Sequence, residues 1–158
     1  MHPNTPAHLV YKEPLVPGDI IQLPVQFSQG GKISELRKHP SLILDRIRTN
    51  HGPMNRVVLG LGLNSDRFEA EEGDIVVSDP AHLTASGLSE PVFFRPHINV
   101  LIDPDSPVFS GDNWVGHLAP QFGAQLAEAQ TTLAQDRESF ERHLAASRRA
   151  NAHRAHRH

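Results

Sequence analysis

Hydrophobic and polar positions alternate from Ile20 to Phe27, with Ile21, Leu23, Val25 and Phe27 on one side and Gln22, Pro24 and Gln26 on the other. That two-residue period predicts a half-buried strand, and Pro24, which lacks an N–H, places it at an edge or a bulge. The turn Pro17-Gly18-Asp19 precedes it, and the polar stretch Ser28 to His39, SQGGKISELRKH, predicts a surface loop. Pro40 to Leu44 predicts a second strand, Asn50-His51-Gly52-Pro53 a turn, and Arg56 to Leu63 a third strand whose two glycines mark a sharp coil or a close backbone approach. Asp74 to Ser78 predicts a fourth. Pro80 to Ser86 predicts a short helix ended by Gly87, and Val92 to Ile102 one or two further strands interrupted by Pro96.

From Asn113 the period changes. Leu118, Phe122, Leu126, Leu133, Phe140 and Leu144 recur at spacings of four and seven, the stripe of an amphipathic helix with its core from about Pro120 to about Arg148. The pattern therefore predicts a mostly β, barrel-like domain with a long C-terminal helix. It divides into an irregular arm at 1–17, a barrel at 18–112, a helix at 113–148 and a basic, His-rich tail at 149–158. The helix is longer than a small barrel is wide, so its outer stripe calls for a second subunit, and dimerisation is expected.

Composition narrows this picture. A chain of 158 residues with 38% hydrophobic residues supports one core. No apolar run approaches the roughly 18 residues of a membrane span, and the opening MHPNTPAHLVYKEP lacks a signal-peptide pattern, which predicts a cytoplasmic protein with no membrane partner. The absence of cysteine excludes disulfides, thiolate zinc sites and cysteine nucleophiles. The net charge of −3 is uneven: residues 137–158 carry six Arg against two Glu, so the tail is +4 and the body −7. His143, His153, His156 and His158 add to the tail's charge in acid, and such a tail suits a polyanion or an acidic protein, or is simply a solvated end.

Most of the other chemical signals are bland. His153, His156 and His158 form no closed ligand set, so neither a metal nor another cofactor is expected. Gly60-Leu61-Gly62 lacks the third glycine and the lysine of a nucleotide loop, and Asp103, Asp105 and Asp112 lie among turn formers. Trp114 and Tyr11 are too separate for a base-stacking platform, and Phe93-Phe94 reads as core.

Three stretches and their order resemble the PemK/MazF family of toxin-like ribonucleases, over roughly residues 17–135. Pro17-Gly18-Asp19-Ile20-Ile21 resembles the family's opening Gly-Asp-Ile strand, and His39-Pro40-Ser41-Leu42-Ile43-Leu44 its Arg-Pro-Ala-aliphatic strand. Ser86-Gly87-Leu88-Ser89-Glu90-Pro91-Val92-Phe93-Phe94-Arg95, running to Leu101-Ile102-Asp103, resembles its Ala-Gly-Leu, Lys-Pro-Ser-Val-Val-Arg and Thr-Leu-Asp series. Val115-Gly116-His117-Leu118-Ala119 is similar to the Gly-x-Leu-Ser/Thr that introduces its final helix.

The resemblance implies a small SH3-like barrel, a homodimer, and metal-independent cleavage of single-stranded RNA, in which the 2'-hydroxyl attacks the adjacent phosphate. It also implies an antitoxin protein that lies across the groove. Such cleavage needs a base, an acid, and cationic donors for the phosphorane charge. On the matching positions Arg95 falls on a catalytic arginine, His97 near an acidic position, His39 on the arginine of the Arg-Pro pair, and Ser65 close to the family's Thr-Ser. Arg37, Lys38 and Lys32 on the polar loop are the expected RNA-binding cations. Histidine at 39 keeps proton chemistry but not a permanent bidentate charge. Two functions therefore stand side by side: an endoribonuclease, and a catalytically degenerate barrel that binds protein or nucleic acid.

Overall fold

The apolar alternation builds a sheet whose two faces are both covered in its middle. A computed structural model describes residues 15–25, 28–29, 32–33, 37–62 and 69–155. The strands are β1 (Asp19–Val25), β2 (Ser28–Gln29), β3 (Lys32–Ile33), β4 (Arg37–Thr49), β5 (Gly52–Gly62), β6 (Ile75–Val77), β7 (Val92–Ile102) and β8 (Trp114–His117). The helices are α1 (Pro80–Ser86) and α2 (Gly123–Ala155). Six strands form one antiparallel sheet in the order β6-β7-β5-β4-β1-β8, curled into a half-barrel, while β2 and β3 make a separate two-stranded pair. The mostly β architecture with a C-terminal helix is as expected.

Because side chains alternate across a strand, neighbouring core residues serve different faces. Ile20, Leu42, Leu44, Val58 and Phe94 enter the main core with Phe122 and Ala129, whereas Ile21, Ile43 and Val57 form a second cluster beneath the other face. Each fully buried aliphatic or aromatic side chain contributes about 1.5–3 kcal/mol by leaving water. Phe93 and Phe94 are both fully buried, as the core reading expects.

The prolines mark places where a strand lacks a neighbour. β8 pairs with β1 only at Asp19 to Ile21, which leaves Pro24 with one partner strand, and β5 joins β4 only from Ser41, just beyond Pro40. Pro96 falls where the register between β5 and β7 shifts, between the Gly60–Phe94 and Val58–Asn99 pairs. Its missing N–H costs no ladder bond there, so β7 runs unbroken through it. The expected break at Pro96 does not occur.

Two further expectations are corrected. The polar loop from Ser28 to His39 contains the short pair β2 and β3, and β4 already begins at Arg37, where its backbone finds Val25 of β1. The helix does not begin near 113: Trp114 to His117 adds a strand to the open edge of β1, and Pro120–Phe122 makes a single 3-10 turn before α2. Gly116 permits that strand, since a Cβ there would collide with the Ser86 carbonyl oxygen of α1. At its far end α2 continues through Ala155 rather than ending near Arg148.

Helix α2 is fastened to the sheet by Leu126, Ala129 and Leu133, by Gln130 Nε2 donating to the Leu44 carbonyl (2.7 Å), and by Arg137 Nη2 donating to the Arg48 carbonyl (3.2 Å). Beneath it Arg56, 6% exposed, lies 3.4 Å from the Asp45 carboxylate. Burial raises the Asp45 pKa despite the opposing charges of Arg56 and Arg137. None of the described helices is long and apolar enough to cross a membrane.

Candidate functional site

Local sequence shapes a hollow at one end of the half-barrel. Asp79 accepts from Ala81 N (2.9 Å) and Pro80 opens α1, so the helix starts abruptly. Gly87 ends it with a left-handed φ of 76°, Gly87 N donating to the Thr84 carbonyl (3.2 Å) and Leu88 N to the Leu83 carbonyl (2.9 Å). That cap turns residues 88–91 back toward the sheet. Gly60 brings β5 so close to β4 that a Cβ would strike the Pro40 carbonyl oxygen, whereas a Cβ at Gly62 would meet nothing within 4 Å. The glycines thus separate a packed floor from an open rim.

The resulting pocket has a volume of about 470 Å³ and is lined by Arg37, Lys38 and His39 from β4 and by Ser89 and Glu90 from the segment after α1. Pro40, Leu88, Pro91 and Val92 add apolar surface to it. Pairing of β1 with β4 sets the cationic wall, through Leu23 opposite His39, Pro24 opposite Lys38 and Val25 opposite Arg37. Lys38 Nζ donates to Asn113 Oδ1 (3.2 Å), and Asn113 is held in turn by donating to the Val108 carbonyl (3.1 Å). Among the described residues no carboxylate lies within ion-pair distance of Arg37. Burial, and then the neighbouring Arg37 charge, lower the His39 pKa from 6.5, so its imidazole is neutral at pH 7.

Arg95 and His97 are elsewhere. The Arg95 guanidinium donates through Nε to Asp74 Oδ1 (3.1 Å), and through Nη2 to Asp74 Oδ2 (3.1 Å) and to the Glu69 carbonyl (2.7 Å). Glu71 Oε2 stands 3.6 Å from Nε, and the guanidinium carbon covers the Phe93 ring at 5.1 Å. The Asp74 side chain is 1% exposed. Its hydrogen bonds outweigh burial and raise the Arg95 pKa further above the usual arginine range. His97 lines a different, acidic cleft of about 640 Å³ with Glu72, Asp74, Glu128 and Asp136, and the two hollows share no lining residue.

The expectation that one hollow gathers His39, Arg95 and His97 is therefore corrected. Three of the five N–H donors of this guanidinium, on Nε and Nη2, are already engaged by a buried carboxylate and a carbonyl, which removes the Nε/Nη2 fork that would grip a phosphate. Ser65 lies outside the described residues, and so does the side chain of Lys32, whose backbone belongs to β3. What comes together is Arg37, Lys38 and His39. Ser89 and Glu90 were missed as lining residues; their signal was a polar pair one residue beyond a glycine helix cap, where the chain returns to the sheet.

Chemically, the pocket offers a neutral imidazole, two cations, a hydroxyl and a carboxylate among apolar side chains. Such a set can hold an anion with an adjoining ring and take a proton from it. Among the described residues no group of three or more His, Asp and Glu side chains is placed to hold a metal ion. Compared with protein-family models and with curated proteins, the chain matches none.

Proposed function

We propose that the chain is a PemK/MazF-like, SH3-like barrel that cleaves single-stranded RNA without a metal, at the pocket of Arg37, Lys38 and His39. The observation that carries this reading is the convergence of a neutral imidazole with two cations at one open hollow. In the reaction His39 takes the proton of the 2'-hydroxyl, the 2'-oxygen attacks phosphorus, and the bond from phosphorus to the 5'-oxygen breaks. The leaving oxygen takes a proton from water at the open mouth. Arg37 and Lys38 hold the phosphate oxygens as charge develops on them. Arg95 acts as a brace for the β6–β7 side, and His97 has no part in the chemistry.

An antitoxin segment that carries a carboxylate would compete for the same cations. The test is a fluorescent single-stranded RNA incubated with the chain in excess chelator. Products ending in a 2',3'-cyclic phosphate, lost with His39→Ala, are expected. Intact RNA and unimpeded bacterial growth on expression would overturn the enzyme.

A second reading is favoured by the diversion of Arg95 into the Asp74 cluster: a non-catalytic module that holds RNA or a protein segment in this pocket. It predicts salt-sensitive binding with no turnover.

A further inference from the structure

Strand β7 has neighbours on both sides only where it begins. β6 lies against Val92 to Phe94 and reaches no further, whereas β5 runs along the other side as far as Ile102. The row of β6 stops at Ile75 because the chain just before it makes a turn, with Asp74 N donating to the Glu71 carbonyl (3.1 Å) and Gly73 at a φ of 91°. Arg95 holds that turn through Asp74 and the Glu69 carbonyl. Among the described residues no strand therefore covers the outer edge of β7 from His97 to Ile102.

This edge is apolar. Ile98, Val100 and Leu101 are 55%, 47% and 41% exposed. Val100 stands opposite the buried Val57 and so carries the face of the second cluster out to the rim, while Leu101, opposite Arg56, lies on the other face. Open edges are ordinarily blunted by a charged side chain or a proline. From His97 to Ile102 the sequence HINVLI has no Lys, Arg, Asp, Glu or Pro.

Carboxylates bracket the same stretch. At its start Pro96 and His97 border the cleft of Glu72, Glu128 and Asp136, and at its end come Asp103 and Asp105. Among the described residues none of these carboxylates makes an ion pair.

We propose that an extended segment of a partner protein adds to β7 as a strand, in the row that β6 leaves and antiparallel to β7, its apolar alternation flanked by a Lys or Arg at each end. Its backbone pairs with the free N–H and C=O groups of the edge, and its apolar side chains cover Ile98 and Val100. Its basic ends meet Asp103 and Asp105 on one side and the acidic cleft on the other. At about 3.3 Å per residue, about seven residues span the stretch from His97 to Asp103. A second copy of the chain does not suit the edge, because two β7 strands paired antiparallel would bring Asp103 and Asp105 of each onto the other's cleft. RNA is repelled by the same carboxylates. The edge shares no residue with the pocket of His39, so the proposal does not rest on the ribonuclease reading.

The test is fluorescence anisotropy of the full chain with a labelled peptide, Lys-Ile-Thr-Val-Thr-Ile-Lys, and saturable binding at micromolar concentration is expected. Methylating alternate backbone nitrogens of the peptide should abolish binding in one phase and spare it in the other, the signature of strand pairing. Glutamate in place of both lysines should weaken binding about tenfold or more. On the chain, Val100→Lys should do the same with an unchanged melting curve and unchanged RNA cleavage, and Glu128→Lys/Asp136→Lys should restore binding of a peptide whose C-terminal lysine is glutamate. Absence of binding, or binding indifferent to methylation in both phases, would overturn the proposal. So would a wild-type dimer in sedimentation that Val100→Lys dissociates, since a second copy would then hold the edge.

Discussion

Two cationic regions of this molecule differ in what surrounds the charge. At the β6–β7 side Arg95 is sealed against Asp74, Glu71 and the Glu69 carbonyl, over the Phe93 ring. At the mouth of the half-barrel Arg37 and Lys38 face a hollow of about 470 Å³, and Lys38 is steadied by a neutral amide rather than a carboxylate. A cation that is chelated by carboxylates holds the fold, whereas one posed by neutral partners stays able to bind an incoming anion. Burial and partner chemistry separate the two cases together: Arg95 is buried against carboxylates, whereas Arg37 and Lys38 are exposed.

The sharpest way to break this comparison is at the mouth. His39→Ala is expected to lower the rate of RNA cleavage by about 100-fold or more, the range of a lost general base, with the thermal midpoint little changed. Cyclic-phosphate yield and a melting curve on the same preparation check it. Next in size is the sealed region: Asp74→Ala leaves the Arg95 guanidinium without its two shortest carboxylate contacts, so the melting temperature should fall by several degrees while cleavage per folded molecule holds. If Asp74→Ala abolished cleavage at unchanged stability, Arg95 would belong to the chemistry after all.

These two regions were unequally legible. Helix α1 could be read from four adjacent signals, Asp79, Pro80, the short apolar run and Gly87, because capping is local. The close approach at Gly60 was legible too, as a glycine within an apolar strand. Strand β8 was not, since its four residues offer only Val115 and Gly116 as inward-facing material and directly precede the helical stripe. Arg95 carried a resemblance to a catalytic position, yet its fate depends on Asp74, 21 residues upstream, and on β6 pairing with β7. That pairing joins strands separated by α1, and neither composition nor local spacing names a strand's partner. Likewise Glu90 lines the same hollow as His39 only because β5 and the α1 cap bring remote segments together.

A smaller effect sharpens the mouth itself. Arg37→Ala should weaken single-stranded RNA binding by roughly tenfold and lower the dependence of log affinity on log salt by about 1, one phosphate contact. Anisotropy titrations at several salt concentrations read both. An affinity loss that did not vary with salt would remove Arg37 from the phosphate and make its role structural.

The smallest expected effect is on pH dependence, and it also divides the two regions. Burial and the Arg37 charge hold the folded-state pKa of His39 below 6.5, so the base protonates at a lower pH than an ordinary histidine. Cleavage should therefore decline only as pH falls through a value below 6.5, and not at the 6.5 of an exposed histidine. The same shift acts on stability. Between the lowered folded value and the unfolded value of 6.5 the unfolded chain binds more protons, so His39's contribution is complete above 6.5 and is lost as pH falls across that window. Asp45 has the opposite sign, its raised pKa making its contribution complete below 3.8 and lost as pH rises through the folded value. His39→Gln should flatten the stability profile in the mildly acidic window alone, measured by chemical denaturation at a series of pH values. A profile that Asp45→Asn flattens there and His39→Gln does not would show that the imidazole is solvated, and with it the pocket's claim to a tuned base would fail.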